Sequence, residues 1–342
     1  MDSAALFAPV REPSAEARGQ FAHFAVAAPA GQNGLGQLSE PGAWLAACQE
    51  VHPPRPITRP RVLIFAGDHG VNAQGVDTRP EDTSRQLAEQ ITSGQAPLNS
   101  LAAGAGAGVR LVDVSLAHEA WGPERVAEGS GRIDIEDGLS REQLEKALEV
   151  GSRVADEEVD SGAELLIPGS LGMAAETVAA AVAGALTRTE PVVMVGAGYG
   201  ISEAMWKQRV GVIRDAMFRV HSDISQPLEV MRKISSPDIV ALAAFCAQAA
   251  VRRTPVLIDG PVPALAALLA DRLAPGARAW FYAAQDSGNP VETVALRDLG
   301  LSPLLDLDFD FGPGSAALLA LPLLQTAGQL AREAAGTQPE PN

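Results

Sequence analysis

The side chains of this chain best suited to chemistry sit in short glycine-hinged segments. Asp68 and His69 follow five apolar residues, Val62 to Ala66, and are flanked by Gly67 and Gly70. A continuous apolar run of that length reads as a strand covered on both faces, and open parallel sheets bind ligands beyond the carboxyl ends of such strands. A carboxylate and an imidazole at that point are suited to proton transfer or ligand binding. The plain alternative is a turn in which Asp68 caps the next helix and His69 is exposed. Gly196, Gly198, Tyr199 and Gly200 form a second turn, expected between a strand and a helix, whose bare amides suit a phosphate or else only need positive φ. Its glycine spacing is not that of a dinucleotide fingerprint. Arg209, farther along the following helix, is placed to return a charge-assisted bond to the same phosphate, or is a solvated helix arginine. Ser170, Leu171 and Gly172 come after another strand, and Gly312, Pro313, Gly314 and Ser315 precede the last helix; both loops are expected to line the same cleft. Pro313 carries neither an amide hydrogen nor a titratable group, so it shapes a pocket without serving as acid or base.

The elements that must hold these loops alternate along the chain. Helices are expected over Ala43 to Val51 and Glu81 to Ala103, the latter broken near Ser93 and Gly94. A strand follows over Val109 to Val114, then a helix over 140 to 161 announced by the capping box of Ser140 and Gln143. Further strands are read at Glu164 to Pro168, Pro191 to Val195 and Pro255 to Asp259. Helices are read from the alanine-rich stretch ending at Leu186, at Ile239 to Val251 and at Pro263 to Leu273. Alternation of this kind predicts an α/β fold, a Rossmann-like doubly wound and mostly parallel sheet with right-handed crossovers. The acidic run Asp306 to Asp310 alternates with apolar residues as an edge strand would, and Glu157, Glu158 and Asp160 read as the solvated face of a helix. The expected division is an N-terminal segment, 1–45, that contributes to a small helical subdomain, an α/β domain with the cleft, 46–312, and a final helix and tail, 313–342, that complete the subdomain. Met1 to Arg18 is expected to be a mobile or loosely docked end.

Composition excludes several classes. A formal charge of −16 over 342 residues argues against a nucleic-acid partner, which would need a basic face. The purest apolar run, Ala316 to Leu324, is far too short to span a bilayer. Two cysteines, Cys48 and Cys246, make no disulfide framework, which fits a reducing cytoplasm. Five histidines, at 23, 52, 69, 118 and 221, show no metal-ligand spacing. Abundant alanine and glycine with few aromatics allow helices to approach a sheet closely.

Many segments in register resemble the bacterial nicotinate mononucleotide:dimethylbenzimidazole phosphoribosyltransferases of cobalamin lower-ligand synthesis. They are Phe65 to Val71 with Gly75 and Val76, Thr83 with Gln86, Asn99 to Leu101, Gly129 to Gly131, Ala155 to Val159, Phe245 to Pro255, Asp259 with Gly260, and Ala317 to Leu324. The resemblance implies transfer of the ribosyl phosphate of nicotinate mononucleotide to a benzimidazole nitrogen, giving α-ribazole phosphate. It implies a homodimer of Rossmann-like subunits, small-molecule nucleotide and azole-type base as partners, and no metal or redox cofactor. Asp68, Gln86, Ser170 to Gly172, Gly196, Gly198, Tyr199, Gly200, Arg209, Gly312, Gly314 and Ser315 are the expected substrate-binding positions. Departures gather in the cleft loops. The family glutamate that acts as general base falls on Pro313, and the arginine three residues before it falls on Asp310. The acid of the loop after the third strand falls on Ser170, and that loop's tail reads Ala174 to Thr177. Tyr199 stands for a phosphate-loop threonine, Arg209 for a lysine, and Asp77 for a serine of the benzimidazole pocket, while Gln86 is kept. Asp310, Glu176 and Asp77 are the candidate replacement acids. The expectation is a family enzyme with a changed acceptor or donor; the alternative is an inactive paralogue that binds a nucleotide or azole or partners an active subunit.

Overall fold

Six parallel strands make one sheet in the order β2-β1-β3-β4-β5-β6. The computed structural model describes residues 6–27, 34–197 and 200–336. In chain order these form α1 (Ala15–Ala27), α2 (Ser39–Cys48), β1 (Pro60–Gly67), α3 (Thr83–Thr92), α4 (Pro97–Gly104), β2 (Gly108–Ser115), α5 (Arg141–Asp160), β3 (Leu165–Leu171), α6 (Ala175–Thr187), α7 (Pro191–Val195), α8 (Glu203–Arg219), α9 (Pro227–Ile234), α10 (Pro237–Val251), β4 (Val256–Ile258), α11 (Pro261–Leu273), β5 (Phe281–Gln285), α12 (Pro290–Leu299), β6 (Pro303–Leu305) and α13 (Ser315–Gly336). Winding goes outward from β1 to β2, then reverses to β3 and continues to β6. The switch point therefore falls between β1 and β3, which stay paired as far as Ala66 and Leu171.

The sheet is covered on both faces, as its apolar strands require. Side chains alternate across a strand, and Phe65 packs on Phe245 of α10 with ring centroids 5.3 Å apart. The opposite face, carrying Val62, Ile64 and Ile167, meets the start of α13: a Cβ on Gly314 would lie 3.2 Å from Ile167 and 3.4 Å from Val62. Gly169 of β3 is the seat of Pro313, whose Cβ would be 3.0 Å from any Cβ there. The first half of α13, including Ala317, Leu321 and Leu324, belongs to the main core. Its second half, through Ala327 and Ala331, joins a separate small core with Phe21 of α1 and Ala43 and Ala46 of α2.

Several expectations change. Pro191–Val195 is a one-turn helix, not a strand. Val192 and Val193 are 49% and 51% exposed, so this valine run lacks the burial that a central strand demands, and β3 pairs directly with β4 through Leu166 and Val256. Asp306 to Asp310 is irregular chain beyond the short edge strand β6. Strand β3 continues past Pro168 to Leu171, with Pro168 paired to Leu63 of β1. Glu158 is buried, not solvated, because Arg61 of β1 and Arg110 of β2 both donate to it, at 2.7 and 3.1 Å. Residues 6–18 are docked: Leu6, Phe7 and Val10 pack on the core, and the Trp280 indole donates to the Arg11 carbonyl at 2.8 Å. Among the described residues no helix is long and apolar enough to cross a membrane.

Candidate functional site

A cleft of about 480 Å³ opens beyond the carboxyl ends of β3, β4 and β5. Its walls come from the loop after β1 (Asp77 to Arg79), the end of β3 and start of α6 (Ser170 to Thr177), and Arg209 of α8. Residues Asp259 to Pro263, Gln285 to Asn289 and Phe309 to Ser315 complete it. Thus Ser170, Leu171, Gly172, Arg209, Gly312, Gly314 and Ser315 converge as the sequence predicts, together with Asp77, Glu176, Asp310 and Pro313. Gly196 and Gly200 are not part of this lining; the Gly196 carbonyl accepts from the Trp206 indole at 2.9 Å. With α7 in place of a strand, Gly196 follows a helix and packs on Pro290, where a Cβ would be 2.9 Å away, beside the cleft residue Asn289. Gly198 and Tyr199 lie outside the described residues. Gln86 is on the exposed side of α3, bonded to Asp82 of the preceding turn.

Asp68 is a structural anchor behind the cleft and not part of its wall. One carboxylate oxygen accepts from the Ser84 hydroxyl at 2.6 Å and the Met173 amide at 3.1 Å, and the other from the Ala117 amide at 3.0 Å. It thereby ties together the loops after β1, β2 and β3. His69 is buried, not exposed, at 3%. Its Nδ1 lies 2.6 Å from the Met173 carbonyl, and its Nε2 lies 3.1 Å from the Ser236 hydroxyl and 3.2 Å from Asp238. Burial opposes the charged form, but the Asp238 carboxylate and the Met173 carbonyl outweigh it and raise the His69 pKa above its ordinary value. The loop Gly172 to Ala174 is thus held from behind by His69, itself buried against Asp238. Close approach completes the clamp: a Cβ on Gly172 would fall 1.8 Å from the Gly67 carbonyl oxygen.

On the cleft side, Asp77 is fully engaged. It accepts two bonds from the Arg79 guanidinium, at 3.0 and 2.6 Å, and one each from the Arg79 and Ala174 amides. Burial pushes its pKa up, yet these donors prevail and hold it at about 2. Such a carboxylate is a poor base at neutral pH, which removes Asp77 from the candidate replacement acids. Glu176 is exposed in the first turn of α6, and Asp310 is exposed with one oxygen accepting from the Gly312 amide. Arg209 donates its Nε to the Val76 carbonyl at 2.8 Å, which leaves its outer nitrogens for the cleft. The Ser170 and Thr177 hydroxyls are buried without a hydrogen-bond partner. Buried polar groups are nearly always paired, so these two hydroxyls stand out, although both oxygens lie beneath the surface of the cleft wall.

Asp259 is the cleft residue that sequence reasoning passed over as a site. It closes the carboxyl end of β4 and is 6% exposed. Its Oδ2 accepts from the amides of Ala316 and Ala317 at 2.8 and 3.1 Å, at the N-terminus of α13. Burial raises its pKa, with Glu292 and Asp310 adding, while the two amides pull it down; the balance is about 7. Glu292, behind it, accepts from the Gly260 and Ser287 amides and the Ser287 hydroxyl, and burial raises its pKa too. The signal for Asp259 was the strand-terminal Asp-Gly pair after Val256–Ile258. Arg79, Gln285 and Asn289 were also missed, the last two because β5 was not recognised. Among the described residues no group of three or more His, Cys, Asp or Glu is arranged to hold a metal ion.

A doubly wound parallel sheet with a cleft beyond the carboxyl ends of its central strands defines an α/β protein built to bind a small molecule there. A family model described as phosphoribosyltransferase matches residues 10–339, and the chain belongs to that family. It is 50% identical over 330 residues to the nicotinate-nucleotide–dimethylbenzimidazole phosphoribosyltransferase of Corynebacterium glutamicum, covering 96% of this chain and 92% of that one. The enzyme of that name from Corynebacterium efficiens is 53% identical over 88% of this chain and 82% of its own. The crystal structure of CobT from Thermus thermophilus superposes with a TM-score of 0.88 at 32% identity, covering 94% of this chain and 99% of that one.

Proposed function

We propose that this protein transfers the ribosyl phosphate of nicotinate mononucleotide to a benzimidazole-type base, yielding α-ribazole phosphate for the cobalamin lower ligand. The observation that carries this is the 50% identity, over nearly the whole of both chains, to a relative named for that reaction. The cleft is compatible in size and chemistry: its volume lies within the range of small-molecule sites, and Leu87, Leu171, Val262 and Phe309 offer apolar surface for a flat ring. Arg209, whose Nε is held by the Val76 carbonyl, supplies a cation for the phosphate. Holding both rings in line converts a bimolecular displacement into an effectively unimolecular one. Purified protein incubated with nicotinate mononucleotide and a panel of azole bases should release nicotinate with at least one of them. Silence across the panel would refute the proposal.

A specific observation favours a second reading, a binder without turnover. Pro313 and Asp310 line the cleft at the positions where the resemblance expects a glutamate and an arginine. Calorimetry separates the two, since a pure binder gives heat with the mononucleotide and no nicotinate. Finer features belong to the same proposal: a homodimer, supported by exposed Leu319, Leu323 and Leu330 on α13 and testable by light scattering, a cytoplasmic setting, supported by two unpaired buried cysteines, and a small helical subdomain of α1, α2 and the end of α13.

A further inference from the structure

An azole that attacks the ribosyl carbon through one nitrogen must shed the proton on its other nitrogen, so the cleft needs a group to take it. We infer that Asp259, and not a residue of the loop 310–313, is that proton acceptor; the inference rests on the transfer reaction proposed above. Geometry singles it out. Its Oδ2 is fixed by the Ala316 and Ala317 amides, whereas Oδ1 has no protein hydrogen-bond partner among the described residues, on a side chain that lines the cleft. The anchoring amides lie three and four residues past Pro313, so the carboxyl stands beside the turn that lacks a titratable group. The other acids of the wall are less suited. Asp77 is locked to Arg79, Asp310 and Glu176 sit on the solvated rim, and Glu292 is sequestered behind the Gly260 amide.

In the step, the N3 lone pair of the benzimidazole forms the new bond to C1′. The C1′–N bond to nicotinate breaks, its electron pair going to the pyridine nitrogen. The N1–H proton passes to Asp259 Oδ1, and the electrons left on N1 neutralise the azolium. Asp259 then returns the proton to water. The charged groups facing it are Glu292 of α12 and Asp310 of the loop before α13, with Arg79 and Arg209 across the cleft. Near-neutral titration suits an acceptor that must be ionised before the reaction and protonated after it.

Asp259→Asn tests the assignment, because its amide oxygen can still accept from the two helix amides. In a protein that turns over, kcat/KM should fall on the order of 10²–10⁴-fold, and the ascending pH limb near 7 should vanish. A variant within tenfold of the parent that keeps the limb overturns the assignment. A second measurement needs no turnover. Dimethylbenzimidazole is titrated calorimetrically at pH 7 in two buffers of different ionisation enthalpy. An N–H donated to Asp259 favours its carboxylate, so the parent should release part of a proton on binding and Asp259→Asn should not. If nicotinate is never released but this proton release is seen and then lost, Asp259 faces the base and the transferase reading alone fails. Equal proton release from both proteins, or none from either, overturns the assignment whether or not transfer occurs.

Discussion

Replacing Asp238 by asparagine removes the counter-charge of His69 while keeping the side chain's shape. Both groups are essentially excluded from solvent, with side chains 0% and 1% exposed and 3.2 Å apart. Breaking a buried pair by removing one partner costs about 3–5 kcal/mol, because the remaining charge is uncompensated. A chain of this length has an unfolding entropy of about 0.7 kcal/mol/K, so the melting temperature should drop by about 4–7 °C. The pH dependence is the sharper test. A histidine whose folded pKa is raised contributes stability that is fully present below its unfolded value, about 6.5, and is lost as pH rises through the folded value. The gap between parent and Asp238→Asn should therefore be widest below about pH 6 and narrow on the alkaline side. Circular-dichroism melts from pH 5 to 9 read it directly. A gap below about 1 kcal/mol, or one independent of pH, would mean that His69 is neutral and that the loop bearing Met173 is held by neutral hydrogen bonds instead.

Asp77 behaves in the opposite sense: with its folded pKa held at about 2, its contribution is present above the unfolded value, about 3.9, and fades as pH falls toward 2. Urea titrations should show Asp77→Asn less stable by about 1 kcal/mol at pH 7, the partial exposure of Arg79 weakening the pair, and the difference should close in acid. Gly172→Ala should cost about 3 kcal/mol or more, read as a lowered urea midpoint, because its Cβ meets the backbone of Gly67 and no flexible side chain can yield. Asp310→Arg replaces a negative charge at the cleft by a positive one. It should tighten mononucleotide binding in low-salt calorimetry by about tenfold, an effect that fades with added salt. The same change should shift the Asp259 pH limb to lower pH.

Strand β1, with its unbroken run Val62 to Ala66, was legible because burial on both faces leaves no polar alternation to misread. Pro191–Val195 has the same composition and a different fate: valines indicate a strand only when a neighbour covers them, and composition does not say whether it does. Strand β5, Phe-Tyr-Ala-Ala-Gln, has no β-branched residue, so the contribution of Gln285 to the site could not be foreseen. Glu158 illustrates the same limit from the polar side. Its helix is amphipathic, but the two arginines that make its burial tolerable sit nearly fifty and a hundred residues away. The loops of the cleft were recognised from glycine placement and resemblance. Which carboxylates would be locked, exposed or pushed toward neutrality depends on amides and guanidinium groups brought together by the fold, and local sequence does not encode that convergence.

The position of α13 ties the cleft to the order in which the chain is made. Its first turn supplies the amides that hold Asp259 and covers Val62 and Ile167 at the centre of the sheet, and its far end packs with α1 and α2. A nascent chain emerging from the ribosome has all six strands before it has this helix, so an apolar sheet face and a carboxyl without its amides wait for the segment that follows them. Loop closure across more than two hundred residues is slow compared with local helix formation. Until that helix docks, the uncovered apolar face is the part of the fold most open to aggregation.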